Sequence, residues 1–159
     1  MTVRSGIGFD VHPLMGNRTL ILGGVQIPFE KGLVGHSDGD VLIHAVIDAL
    51  LGGAGLGDIG THFPSNDSRY EGIASTKLLT LTLKLLQGTI WQATYVDATI
   101  LAQDPALSPY MKKINRNLAK NLCMPSESVN LKAKTTDGLG FVGRGEGIAV
   151  MAVATLDSR

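Results

Sequence analysis

At 159 residues the chain fits one domain, taken as positions 1–159, with little room for a second. Its 14 Lys and Arg balance 14 Asp and Glu, which argues against an electrostatic nucleic-acid binder, while 44% hydrophobic residues supply a core. A single cysteine excludes an internal disulfide framework, no apolar run reaches membrane-span length, and the opening MTVRSG lacks a secretory signal core, so a soluble cytoplasmic protein is expected.

Val3 to His12 alternates, with Ile7, Phe9 and Val11 on one side and Gly8, Asp10 and His12 on the other, as in a strand with one apolar face. Thr19 to Leu22 and Val25 to Ile27 flank Gly23-Gly24, a two-residue hairpin signal. From about Asp40 to Leu51 the spacing turns helical. Ser37 and Asp38 are cap candidates there, and Asp40 falls in the first turn, where the helix dipole favours an anion. Gly52 to Gly60 ends that helix, and a polar loop through Asp67 to Arg69 leads to a second one marked by Ala74, Leu78, Leu81 and Leu85. Thr94 to Gln103 reads as a long strand. Ser108-Pro109 then supplies a cap and a first-turn proline for a third helix, whose apolar stripe is Met111, Ile114, Leu118 and Leu122 and which Pro125 breaks. Val129 to Thr135 alternates again, and Ile148 to Leu156 reads as a strand buried on both faces. Without a regular βαβ repeat, this predicts an α+β domain, a mixed β-sheet with helices covering one face.

Glycine fills 20 positions, about one in eight against a usual ~7%. Charged residues are 18%, below the usual ~25%. So few charges point to a surface partly buried against copies of the chain.

All four histidines, His12, His36, His44 and His62, lie in the first 62 residues. Asp10 and His12, two apart on a strand, leave the same face, and with one more histidine they make a three-ligand set suited to zinc. The alternative is a polar strand end before Pro13. His44 has Asp40 one turn before it and Asp48 one turn after. Either carboxylate can hold the far nitrogen of a metal-bound imidazole, and the competing reading is a solvent-facing stripe. Two G-x-G-x-x-G runs, at 55–60 and 138–143, lack the strand–turn–helix context of a dinucleotide site and are assigned to turns or close ligand approach. Thr135-Thr136-Asp137 suits either a metal–phosphate ligand or an ordinary turn, and Arg144 with Glu146 either a surface ion pair or an anion site. Cys123, at a helix end, is expected to be buried and inert.

Taken together, GFDVH at 8–12, HSDGDVLIHA at 36–45, GDIGTHFP at 57–64 and GFVGRGEG at 140–147 resemble the 2-C-methyl-D-erythritol 2,4-cyclodiphosphate synthase family of the non-mevalonate isoprenoid pathway, over nearly the whole chain. The resemblance implies a lyase that cyclises 4-diphosphocytidyl-2-C-methyl-D-erythritol 2-phosphate and releases CMP. It implies a homotrimer with active sites between subunits. Zinc would be held by Asp10, His12 and His44, and a second ion, magnesium or manganese, would be held with Asp137. His36 and Thr135 match the residues that position the transition state, and Ser37 lies beside them on the substrate. Asp58, Gly60, Phe63, Pro64, Ser65, Asn66 and Asp67 match the methylerythritol phosphate end. The run Ala102, Gln103, Asp104, Pro105, Ala106, Leu107 and Ser108 matches the nucleotide pocket, together with Lys134, Thr135, Thr136 and Asp137, with Phe141 and Arg144 beside it. Phe9, Arg144 and Glu146 would line an axial channel able to take isoprenoid phosphates.

The chain departs from the family at two places. Asp137 stands where glutamate is usual, and Ala106 follows Pro105 where lysine is frequent. Two other readings remain at this stage: a zinc-dependent phosphoesterase, and a non-catalytic trimer that binds isoprenoid phosphates.

Overall fold

Strand β1 (Val3–Gly16) runs past the expected polar end at His12. The computed structural model, which describes residues 1–159, continues it through Pro13 so that its last residues pair with β4 (Lys31–Leu33). Between them the glycine pair closes the expected hairpin of β2 (Leu20–Leu22) and β3 (Val25–Ile27). Both Gly23 and Gly24 have positive φ, the backbone a tight two-residue turn demands. The remaining strands are β5 (Trp91–Leu101), β6 (Val129–Lys134) and β7 (Gly147–Ser158). They complete a five-stranded sheet in the order β4-β1-β7-β5-β6. Only the β5–β6 pair is parallel, so the sheet is mixed, as expected.

The longest-buried element is α1 (Val41–Ala54), which packs on β1, β7 and β5. It can lie this close because β1 turns glycine toward it. A Cβ built on Gly8 would fall 1.9 Å from the Ala45 carbonyl oxygen, and one on Gly6 1.9 Å from that of Ala49. Thus the Gly–Asp–His side of β1 faces the helix. The apolar side faces out: Ile7 is 68% exposed and Phe9 55%, and Met151 and Val153 of β7 share that open face. The reading of β7 as buried on both sides is therefore corrected. Helices cover one face of the sheet, and the other is uncovered in the single chain.

Asp40 ends the helix differently from the expectation. It is the N-cap itself, not a first-turn residue, and its carboxylate accepts from the Ile43 amide at 3.1 Å. The same carboxylate takes the Gly23 and Gly24 amides at 3.0 and 2.7 Å, tying the hairpin to α1. Burial pushes its pKa up to about 6, against the pull of those amides. Removing it leaves buried donors without partners. Asp40→Ala is expected to cost roughly 2–5 kcal/mol in chemical denaturation. An unchanged midpoint would show the cap to be dispensable.

The four-residue α2 (Ile59–His62) was not foreseen. Helix α3 (Ser75–Gln87) is turned relative to its expected stripe. It buries Ser75, Leu78, Leu79, Thr82 and Leu86, leaving Leu81 and Leu85 at the surface. Ser108-Pro109 opens a 3-10 turn that runs into α4 (Met111–Leu122), without the expected serine cap bond. Ile114, Leu118 and Leu122 are buried as the stripe requires, while Met111 is only partly so. The helix stops at Cys123, in a left-handed conformation two residues before Pro125. Cys123 is exposed, because the cap carries its side chain out of the core, which corrects the expectation of burial. A last short helix, α5 (Gly140–Gly143), precedes β7. No helix is long and apolar enough to cross a membrane.

Candidate metal centre and substrate cavity

Alternation along β1 puts Asp10 and His12 on the helix side, and the fourth residue after the cap puts His44 of α1 opposite them. His12 Nδ1 donates to the Val34 carbonyl at 2.6 Å, so its Nε2 presents a lone pair. His44 Nε2 lies 2.9 Å from Ser75 Oγ and 3.0 Å from Ser37 Oγ, so its hydrogen belongs on that side and Nδ1 presents the lone pair. Asp10 Oδ2 is 2.8 Å from His12 Nε2 and 3.2 Å from His44 Nδ1, and the two nitrogens are 3.1 Å apart.

Three acceptor atoms so close together need a proton or a cation among them. Tetrahedral ligands at zinc-like bond lengths are about 3.3 Å apart, near the observed spacings. Burial would raise the Asp10 pKa, but hydrogen bonds and charge from His12 and His44 outweigh it and hold the carboxyl at about 2. The charged carboxylate that a metal requires is thus the stable form. His12 moves upward: burial opposes its protonation, and the Asp10 bond and charge overcome that. Two imidazoles and one carboxylate form a divalent-metal ligand set, and a cavity of about 260 Å³ opens beside it.

A family model described as the YgbB family matches residues 3–157. The chain belongs to the YgbB family. Among the curated relatives of this YgbB member, the 2-C-methyl-D-erythritol 2,4-cyclodiphosphate synthase of Alkaliphilus metalliredigens is 53% identical over 154 residues, 97% of each chain. That of Desulforamulus reducens is 54% identical over 154 residues, 97% of this chain and 98% of the relative. Among solved structures, the bifunctional IspDF of Campylobacter jejuni superposes with a TM-score of 0.95 at 40% identity. The match covers 99% of this chain and 43% of that one. A CDP complex of Plasmodium falciparum IspF matches with a TM-score of 0.86 at 32% identity, over 99% of this chain and 97% of that one.

In this YgbB chain the cavity collects His36, Ser37, Gly60, Phe63 and Ser65 around Asp10, His12 and His44. His36 is held by a 3.1 Å contact between its Nε2 and the Asp67 carbonyl. Pro64 and Asn66 belong to the same loop but do not line the cavity. Asp58 faces outward, capping α2 through Thr61, and Asp67 pairs with Arg69 at 2.6 Å. Ser75, Ile59 and Tyr70 complete the surroundings and had no signal in the sequence.

A second group forms at the ends of the parallel strands β5 and β6, away from that cavity's lining. There the Ala102 amide reaches the Lys134 carbonyl at 2.9 Å, and the Gly138 amide reaches the Gln103 side chain at 3.1 Å. Thr135 and Asp137 are exposed, their hydroxyl and carboxylate 3.5 Å apart. Arg144 and Glu146 form a surface ion pair at 3.1 Å. Two expected partners of His44 fail. Asp40 is occupied with the hairpin, and Asp48 accepts from the Ile59 amide at 2.7 Å, leaving the two serines beside the imidazole.

Proposed function

We infer that this chain is a lyase that converts 4-diphosphocytidyl-2-C-methyl-D-erythritol 2-phosphate to 2-C-methyl-D-erythritol 2,4-cyclodiphosphate and CMP, in isoprenoid precursor synthesis. The observation that carries this reading is the convergence of Asp10, His12 and His44 beside a cavity, in a chain half identical to synthases of that name. Zinc fits two imidazoles and a carboxylate. When bound, it would polarise a phosphate oxygen and offset negative charge. The 2-phosphate attacks the β-phosphorus of the diphosphate, and CMP leaves. No protein nucleophile is required. The residues instead hold two anionic ends in line, an effect worth up to about 7–11 kcal/mol in well-oriented systems.

A homotrimer goes with this reading on two grounds. The open sheet face carries Ile7, Phe9, Met151 and Val153, an apolar surface that a copy of the chain can cover. The second group at Ala102 to Ser108 and Lys134 to Asp137 does not line the metal cavity, as expected if each active site joins half-sites of two subunits. The nucleotide would then lie against that group, with Thr135 placing the diphosphate and Phe141 and Arg144 at its edge. Asp58 and the loop from Phe63 to Asp67 would hold the methylerythritol phosphate end, with His36 and Ser37 near the reacting phosphate. Phe9, Arg144 and Glu146 would line the axial channel, open to an isoprenoid phosphate. Residues 1–159 would fold as one synthase domain, and a cytoplasmic location suits its highly charged substrate.

Phosphorus NMR on one reaction mixture tests the reading. CMP with a cyclic diphosphate is expected. Inorganic phosphate would indicate a phosphoesterase, and no turnover would indicate a binding protein. Magnesium or manganese, held with Asp137, would offset the negative charge of the diphosphate. Asp137→Ala is therefore expected to weaken activation by either ion about tenfold or more while zinc content stays the same. An unchanged activation curve would remove Asp137 from the site.

A further inference from the structure

His44 can ligate a cation through Nδ1 only while Nε2 keeps its hydrogen. The surroundings of Nε2 decide that. Ser75, the first residue of α3 and fully buried, places its hydroxyl 2.9 Å from Nε2. The same hydroxyl makes a short hydrogen bond to Asp38 Oδ1 and lies 3.3 Å from Ser37 Oγ. A carboxylate only accepts, so the single Ser75 hydroxyl hydrogen goes to Asp38. Its lone pairs are then left for His44, which must donate. Asp38 is itself held in place: Oδ2 accepts from the Ser75 amide at 3.1 Å, and Oδ1 accepts from the Asp40 amide at 3.1 Å.

We infer that Asp38 is a positioning residue which, through Ser75, fixes the tautomer and ring orientation of His44 and so sets the strength of the metal site. Ser37 assists, its Oγ 3.0 Å from Nε2 and 3.4 Å from the Gly39 amide, but no carboxylate dictates where its hydrogen points. With Asp38 neutralised, the Ser75 hydroxyl is free to turn and donate to Nε2. The imidazole hydrogen then moves to Nδ1, where it points at Asp10 and His12 and occupies the lone pair the cation needs. Asp38 was expected only to cap a helix. Its role appears because residues 37 apart in sequence meet at the start of α3.

This inference rests on the metal reading, and the test separates the two. Zinc affinity is measured by chelator competition on the full chain and on His44→Ala, Asp38→Asn, Ser75→Ala and the Asp38→Asn/Ser75→Ala double variant. Melting of the metal-free proteins checks the fold. Each single change at 38 or 75 is expected to weaken zinc binding about 10- to 100-fold, and the double change no further than the worse single one. In the cobalt(II)-loaded chain, the exchangeable imidazole N–H signal of His44, told apart from that of His12 by its through-space contact with the residue 75 side chain, should exchange slowly with solvent, and faster in Asp38→Asn or Ser75→Ala. If Asp38→Asn does not fold, Ser75→Ala with the exchange measurement decides. A parent chain that binds no zinc overturns the metal reading and the relay with it. Zinc binding lost in His44→Ala but changed less than about twofold in Asp38→Asn overturns the relay alone, as do losses at 38 and 75 that add.

Discussion

Replacing His44 by alanine, or Asp10 by asparagine, is expected to abolish stoichiometric zinc binding and lower CMP release by on the order of 10³-fold or more, with the fold intact. The reasoning is geometric. Asp10 and His12 leave one strand, and their donor atoms are 2.8 Å apart; His44 supplies the third donor from a different element. Two ligands from one strand cannot enclose a cation, and a site reduced to them should release it to a mild chelator. The Asp10 change keeps size and shape but removes the charge that the two imidazoles hold ionised. The fold should survive because the metal ligands add little to the core. Behind His44, Ser37 and Ser75 can bond to each other and to Asp38 once the imidazole is gone. Circular dichroism and metal analysis on the same sample would check both halves. A zinc-free variant with full turnover would falsify the catalytic role.

The ligand set was legible in the sequence because strand geometry is simple: two residues apart means the same side, and Asp10 and His12 obey it. What sat behind the ligands was not legible. Ser75 is an ordinary serine 31 positions from His44, and only the packing of α3 beside α1 brings the two together. Hydropathy did not tell which side of β1 meets the helices. Alternation in β1 correctly separated Ile7, Phe9 and Val11 from Gly8, Asp10 and His12, yet the apolar set is the one left open. A helix can approach a sheet either by interleaving large side chains or by meeting glycine, and composition alone does not choose between them. In α3 the leucines at 78, 79, 81, 83, 85 and 86 spread over more than half of the helix circumference, so the periodic count could select the wrong stripe, and Leu81 and Leu85 ended at the surface. Asp40 was misplaced for a related reason. Besides the Ile43 amide that it caps, its carboxylate holds the Gly23 and Gly24 amides, which lie 17 and 16 residues away.

The glycine face of β1 links stability to the site, and Gly8→Ala measures that link. One added methyl would sit 1.9 Å from the Ala45 oxygen and 2.8 Å from the Ala49 nitrogen, both backbone atoms of α1. No rotamer change relieves such a contact, so the helix must move away from the strand. Overpacking a core commonly costs about 1–3 kcal/mol, and a clash with helix backbone should reach the top of that range or pass it. Movement of α1 also carries His44, the residue just before Ala45, away from Asp10 and His12, which lie two and four residues beyond Gly8. Gly8→Ala is therefore expected to lower the melting temperature and, in the fraction that folds, to weaken zinc binding by about tenfold or more, without touching a ligand. Gly16→Ala is the matched control, since a Cβ there meets nothing within 4 Å, and it should leave both quantities unchanged. A Gly8→Ala protein that melts early yet binds zinc as the parent does would mean that the strand and helix adjust together. The site geometry would then be set locally, by the Val34 carbonyl behind His12 and the serines behind His44, and not by the spacing of α1 from the sheet.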